Sequence, residues 1–279
     1  MIVENYSPVF EIKNKHEIAL VISCFQPTKD ASKLLEVAIE SINKFKSSNC
    51  SLWVIDVGSP NESFKITPRD YPEVNFISTD YTPRTWFGTS LKRKIFNFAT
   101  GTKAPRHASH ANGWTMQFAI ESFKKINYFP KYFMTLQMDI MFTSQHLINT
   151  LLKKFDKKTV AVGVLEQLNF SKKKNILHSL GCMWDYKKLI DLNPSFMPDF
   201  PEFDAGEKAI AIAIEKGYSI KSLQNSYNDH NLIELMEKKY HQFNAVDRAI
   251  NEKGEVLFMH LGRGLPKSVG TYWDSNKTG

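Results

Sequence analysis

The sequence predicts an α/β fold, a mixed and mostly parallel sheet flanked by helices. Three observations point to it. Residues 18–24, 52–56 and 132–138 are strand-length runs made mostly of apolar, aromatic and β-branched residues, the composition of strands covered on both faces. Between the first two, Leu34, Leu35, Ala38, Ile39, Ile42 and Phe45 recur at the spacing of an amphipathic helix, which makes a right-handed βαβ unit. The second run ends on Asp56 and the third runs into Asp139. That is the edge at which open α/β sheets bind ligands.

The bulk numbers agree. With 279 residues, 42% hydrophobic and 13% aromatic, the chain has enough apolar material for a large core. It carries no internal repeat, low-complexity segment or clear linker, and is read as one domain over 1–279. No run approaches 18 apolar residues, so no transmembrane helix is expected, and the first residues lack the pattern of a signal peptide. Cys24, Cys50 and Cys182 are widely spaced and form no CxxC pair. They read as reduced structural thiols of a cytoplasmic protein. A net charge of +7 favours anionic partners. Its distribution is uneven: no acid lies between Asp80 and Glu121, where Arg84, Lys92, Arg93, Lys94, Lys103 and Arg106 stand.

Taken in order, 1–16 is a polar leader with one edge strand, 18–24 a central strand, and 31–45 a helix capped by Asp30 or Ser32. Strands follow at 52–56 and 74–78, then a basic loop at 81–111 with a helical turn or two at 91–98. A helix is expected at 112–126. Residues 132–138 form the strand leading to Asp139, 144–155 a helix, 160–165 a strand, and 176–184 a strand carrying His178. A proline-rich loop opens a helix near Asp204 that Gly217 ends, as a C′ glycine does. A strand at 218–223, short helices at 229–240 and 243–250, and a strand at 256–260 complete the pattern.

These residues resemble the nucleotide-sugar-dependent glycosyltransferases of the GT-A fold, a Rossmann-like arrangement, and within it family 2. Ile55-Asp56-Val57-Gly58-Ser59 is similar to that family's D-D-G-S element, and Gln137-Met138-Asp139 falls in register with its D-x-D. Phe203-Asp204 matches an E-D pair that opens a helix, and Met259-His260 a late metal-binding histidine. The resemblance covers roughly residues 17–265. It departs at Ile55, Gln137 and Phe203, each time losing the first acid and keeping the second.

The resemblance implies an inverting, metal-dependent transfer of a sugar from a nucleotide-sugar donor, a UDP-sugar first, to an acceptor hydroxyl. Asp139 and His260 would hold a divalent cation, Mn²⁺ or Mg²⁺; Asp204 would be the catalytic base, with Glu202 and Glu207 as rivals. Asp56, Gln137, Asn112, Gly113, Arg263 and Lys267 would contact the nucleotide sugar, and the tail from about 261 would close on the donor site. Trp114, Trp184 and Tyr186 are candidates to stack on a sugar. The acceptor is read as a glycan or lipid-linked sugar. A second reading makes it a hydroxylated base in DNA, as in phage DNA modification. A third makes the chain a non-catalytic nucleotide- or glycan-binding relative.

Overall fold

The computed structural model describes residues 6, 8–81, 95, 107–165, 176–179, 181–199, 202–225 and 247–260. The strands are β1 (Val9–Glu11), β2 (Ile18–Cys24), β3 (Cys50–Val57), β4 (Asn75–Thr79), β5 (Tyr132–Gln137), β6 (Ile140–Phe142), β7 (Thr159–Val164), β8 (Cys182–Asp185), β9 (Ser219–Asn225), β10 (Asp247–Ile250) and β11 (Val256–His260). The helices are α1 (Lys29–Phe45), α2 (His107–Lys125), α3 (Leu147–Lys153), α4 (Tyr186–Asp191) and α5 (Glu207–Glu215).

The strands form one mixed sheet in the order β1-β4-β3-β2-β5-β8-β7-β9-β10-β11-β6. β2 runs parallel to β3 and β5, β3 to β4, and β7 to β9. The other neighbours are antiparallel. The expected mixed, helix-flanked sheet is there, but its parallel character is confined to the first half and to one later pair. β10 and β11 are joined by only a few residues, and so short a connection can join only antiparallel strands.

β2 shows why its sequence has no polar alternation. Ala19 and Val21 join Trp53, Phe118 and Phe123 on one face. Ile18, Leu20 and Ile22 join Leu35, Ile39 and Ile42 of α1 and Leu147, Ile148 and Leu151 of α3 on the other. Each such aliphatic side chain contributes about 1.5–3 kcal/mol on leaving water, which holds the sheet centre firmly.

Several local expectations are corrected. The N-cap of α1 is Thr28, whose hydroxyl accepts from Ala31 N–H at 3.2 Å; Asp30 and Ser32 lie inside the helix. α2 begins at His107, well before residue 112. The expected strand at 176–184 is a strand only from Cys182, because Gly181 takes φ +68° and turns the chain. Residues 247–250 form β10 where a helix was read; pairing with β9 and β11 on both sides overrides the local preference. The expected helices at 91–98 and 229–240 lie outside the described residues, save Ile95.

Candidate active site

Register brings two strand-ending polar groups to one edge. Cys24 of β2 pairs with Asp56 of β3, and Ser23 pairs with Gln137 of β5. Asp56 and Gln137 therefore flank the carboxyl end of β2. Beyond Gln137 the chain turns through Met138 and Asp139 into β6, whose Ile140 pairs with His260. That pairing closes the tip: His260 Nε2 lies 3.3 Å from Asp139 Oδ1 and 3.1 Å from Gln137 Oε1. The Asp139 and His260 side chains are only 14% and 11% exposed. With a proton on Nε2 the imidazole can donate to either oxygen, and without it Nε2 offers its lone pair to a cation. Burial pushes the Asp139 carboxyl up, but attraction to and hydrogen bonding with His260, helped by its own backbone N–H and by His178, hold it below its ordinary value.

His178 is a member of this group that the sequence reading gave no role. Its ring centroid lies 5.8 Å from that of His260. The segment carrying it is fastened from several directions. His178 N–H donates to Val164 O at 2.7 Å, and Gly181 N–H to Thr135 O at 2.7 Å. The Thr135 hydroxyl donates to the Ser179 carbonyl and, at 3.2 Å, to the Cys182 carbonyl. Gly181 is obligatory here: besides its positive φ, a Cβ would lie 2.4 Å from the Phe258 ring. No local signal marks His178, because its importance comes from where this turn places it.

Asp56 is deeply buried and has internal partners. The Ser59 hydroxyl donates to one carboxylate oxygen and Lys65 Nζ stands 2.8 Å from the other. Gln26 N–H donates to the Ser59 hydroxyl at 2.7 Å, and Gly58, at φ +66°, donates its N–H to Thr79 O at 2.8 Å. Asp56 thus organises the turn after β3. Asn112 lies over the tip of β2, its Oδ1 accepting from the Ser23 hydroxyl at 3.2 Å. Gly113, next to it, is packed against the backbone of Phe196 and Met197.

Asp204 lies before α5 and not at its first turn. Its N–H donates to Glu207 Oε2 at 2.7 Å, and its Oδ1 accepts from Ala205 N–H at 2.6 Å. Glu207, the buried first residue of α5, takes the Asp204 N–H and caps no helical N–H, while Glu202 is exposed. Gly206, two residues after Asp204, packs against Ser179, the neighbour of His178. By that route the Asp204 loop borders the β5 tip. Trp114, Trp184 and Tyr186 are core residues, at 5%, 0% and 1% exposure, which removes them as sugar-stacking candidates. Arg263, Lys267, the tail from 261 and the cationic side chains at 84–106 lie outside the described residues.

Among the described residues no group of three or more His, Cys, Asp and Glu stands ready to hold a metal. The donors at the β5 tip are one carboxylate, one imidazole and one carboxamide oxygen. A hard divalent cation suits this set when the remaining ligands are oxygens of a bound molecule. None of the described helices is long and apolar enough to cross a membrane.

No protein-family model matches the chain, and no curated protein matches it. Solved structures do. One is a mannosyltransferase of Pyrobaculum calidifontis in complex with GDP-Man and Mn²⁺, at 10% identity and TM-score 0.43 over 78% of this chain and 57% of that one. Another is glucosyl-3-phosphoglycerate synthase from Mycobacterium tuberculosis with Mn²⁺, UDP and phosphoglyceric acid, at 11% identity and TM-score 0.42 over 74% of this chain and 68% of that one. A third is TarS of S. aureus with UDP-GlcNAc, at 11% identity and TM-score 0.40 over 74% and 56%. The chain thus spans little more than half of the mannosyltransferase and of TarS.

Proposed function

We propose that the protein is a GT-A glycosyltransferase that moves a sugar from a nucleotide-sugar donor, a UDP-sugar first among them, to an acceptor hydroxyl with inversion. The observation that carries this reading is the meeting of Asp139, His260 and Gln137 at the carboxyl end of the central strand β5. Its support is chemical. A tip with a single carboxylate beside two histidines suits a molecule that brings its own anionic oxygens, as a diphosphate does.

Asp139 and His260 are the protein ligands proposed for a divalent cation, with Gln137 Oε1 as a neutral neighbour. Mn²⁺ is preferred to Mg²⁺ because it tolerates imidazole. When bound, the cation offsets the charge that builds on the departing diphosphate. Asn112 orients the donor above the end of β2. Asp56 keeps the turn at 57–66 in shape and presents it to the base or ribose. Asp204 takes the proton of the acceptor hydroxyl while that oxygen bonds to the anomeric carbon and the carbon's bond to the diphosphate breaks. The acceptor proposed is a glycan or lipid-linked sugar.

The test is a screen of sugar nucleotides for nucleotide release, with Mn²⁺ and with chelator. Metal-dependent release from one donor, lost in Asp139→Ala, is the expected result. Absence of binding by every nucleotide, with and without metal, contradicts the reading.

A further inference from the structure

We propose that Gly113 is a positioning residue: its bare Cα seats the Phe196 carbonyl, and through the Gly206 N–H on that carbonyl it sets where Asp204 stands relative to the donor edge. This rests on the glycosyltransferase reading above and deepens it. It also changes the role expected of Gly113, from donor contact to spacer.

The contacts form a short chain of backbone groups. Asn112 is tied to the tip of β2 through Ser23. A Cβ on the next residue, Gly113, would lie 2.4 Å from Phe196 O, 3.1 Å from its carbonyl carbon and 3.2 Å from Met197 Cα. All three are backbone atoms, so no rotamer change relieves the clash; the loop itself has to move. Phe196 O is also the acceptor for Gly206 N–H at 2.9 Å. Gly206 takes φ +78°, and a Cβ there would lie 2.7 Å from Ser179 Cβ. The loop is therefore seated on α2 at one end and on the His178 segment at the other.

The Phe196 ring is fully buried and meets Trp184 edge-on at 5.5 Å, so the side chain cannot swing aside to absorb the push and the Phe196 backbone carries it. Asp204 is locked to the same unit through its N–H on the buried Glu207. A push at Gly113 is thus passed to Phe196, to Gly206 and to the base, while Ser23, Asn112 and the Asp139–His260 pair, held by strand pairing, keep their places. A misplacement of about 1 Å at a reacting group can cost on the order of a hundredfold in rate.

The experiment compares wild type with Gly113→Ala in the full chain, measuring donor affinity by calorimetry and donor KM and kcat for transfer. Gly254→Ala is the control, at a positive-φ glycine with nothing within 4 Å of its Cβ. Expected for Gly113→Ala is donor affinity and KM within about twofold of wild type and kcat lower by about tenfold to a hundredfold. The control should keep its kcat. An unchanged kcat overturns the inference, and so does a loss of donor affinity equal to the loss in kcat/KM, which would make Gly113 a donor contact. If Gly113→Ala does not fold, Gly206→Ala decides at the other end of the loop by the same split. A wild type that transfers from no donor overturns the proposed function itself, and this inference with it.

Discussion

Asp56 and Asp139 stand at the carboxyl ends of β3 and β5, on either side of β2, and in the sequence they look alike: an apolar run leading to a carboxylate. In the structure they keep different company. Asp56 is satisfied within its own turn, by Ser59 three residues on and Lys65 nine residues on. Asp139 meets groups from distant parts of the chain, His260 by pairing of β6 with β11 and His178 by the fastened turn before β8. A carboxylate paired locally shapes a loop. One that faces two histidines drawn from distant segments is the one we propose for a ligand. The comparison teaches that a strand-ending acid is an address, and that its long-range partners decide its use.

The largest effect should separate the two acids outright. Asp139→Ala is expected to lower metal-dependent nucleotide release by about a hundredfold to a thousandfold, the scale of losing one preorganised electrostatic group. Its loss of stability should be smaller than that of Asp56→Ala. Asp56→Ala should do the reverse. It leaves the Lys65 ammonium, 21% exposed, beside a cavity without its counter-charge, at a cost of about 2–4 kcal/mol read by urea unfolding. Lys65→Met tests the same pair from the other side and should destabilise as well, since it strands a carboxylate only 4% exposed. If Asp56→Ala folds normally and Asp139→Ala does not, the contrast between the two acids is reversed.

His178→Ala sharpens the account of the β5 tip. Removing a hydrogen-bonding group beside a charged one should cost roughly tenfold in nucleotide release, less than removal of Asp139. A subtler effect concerns acid. The Asp139 carboxyl is held below its ordinary value, so its stabilising contribution is full above the ordinary carboxylate range and is lost as pH falls through the depressed value. Melting curves taken downward from pH 6 should show wild type losing stability below about pH 4 more steeply than Asp139→Asn. The smallest effect belongs to Asp156, an exposed acid held below its ordinary value by Lys221 and the turn at 156–159. Asp156→Asn should shift the melting temperature by less than about 2 °C.

The sequence was most legible where burial alone decides. β2 and β11 match the expected runs at 18–24 and 256–260 residue for residue, because a strand covered on both faces has to be apolar throughout. The ends of elements were less legible. Thr28, Asp30 and Ser32 are all good caps, and only the backbone turn selects Thr28. β10 was misread because Asp247–Ile250 is a strand only between β9 and β11. In the site, motif order pointed to Asp139 and His260, and the β6–β11 register joins them. His178 and the seat of Gly113 on Phe196 were hidden for the same reason as β10. Each is a relation between segments distant in sequence, and no local pattern encodes it.

The most direct test is calorimetric titration of nucleoside diphosphates into the protein with Mn²⁺ and with chelator, for wild type, Asp139→Ala, His260→Ala and Asp56→Ala. Wild type should bind one diphosphate in a Mn²⁺-dependent way. Asp139→Ala and His260→Ala should lose that dependence, while folded Asp56→Ala should keep it. Mn²⁺-dependent binding that survives in Asp139→Ala and disappears in Asp56→Ala would contradict the assignment of the chemistry to the β5 tip.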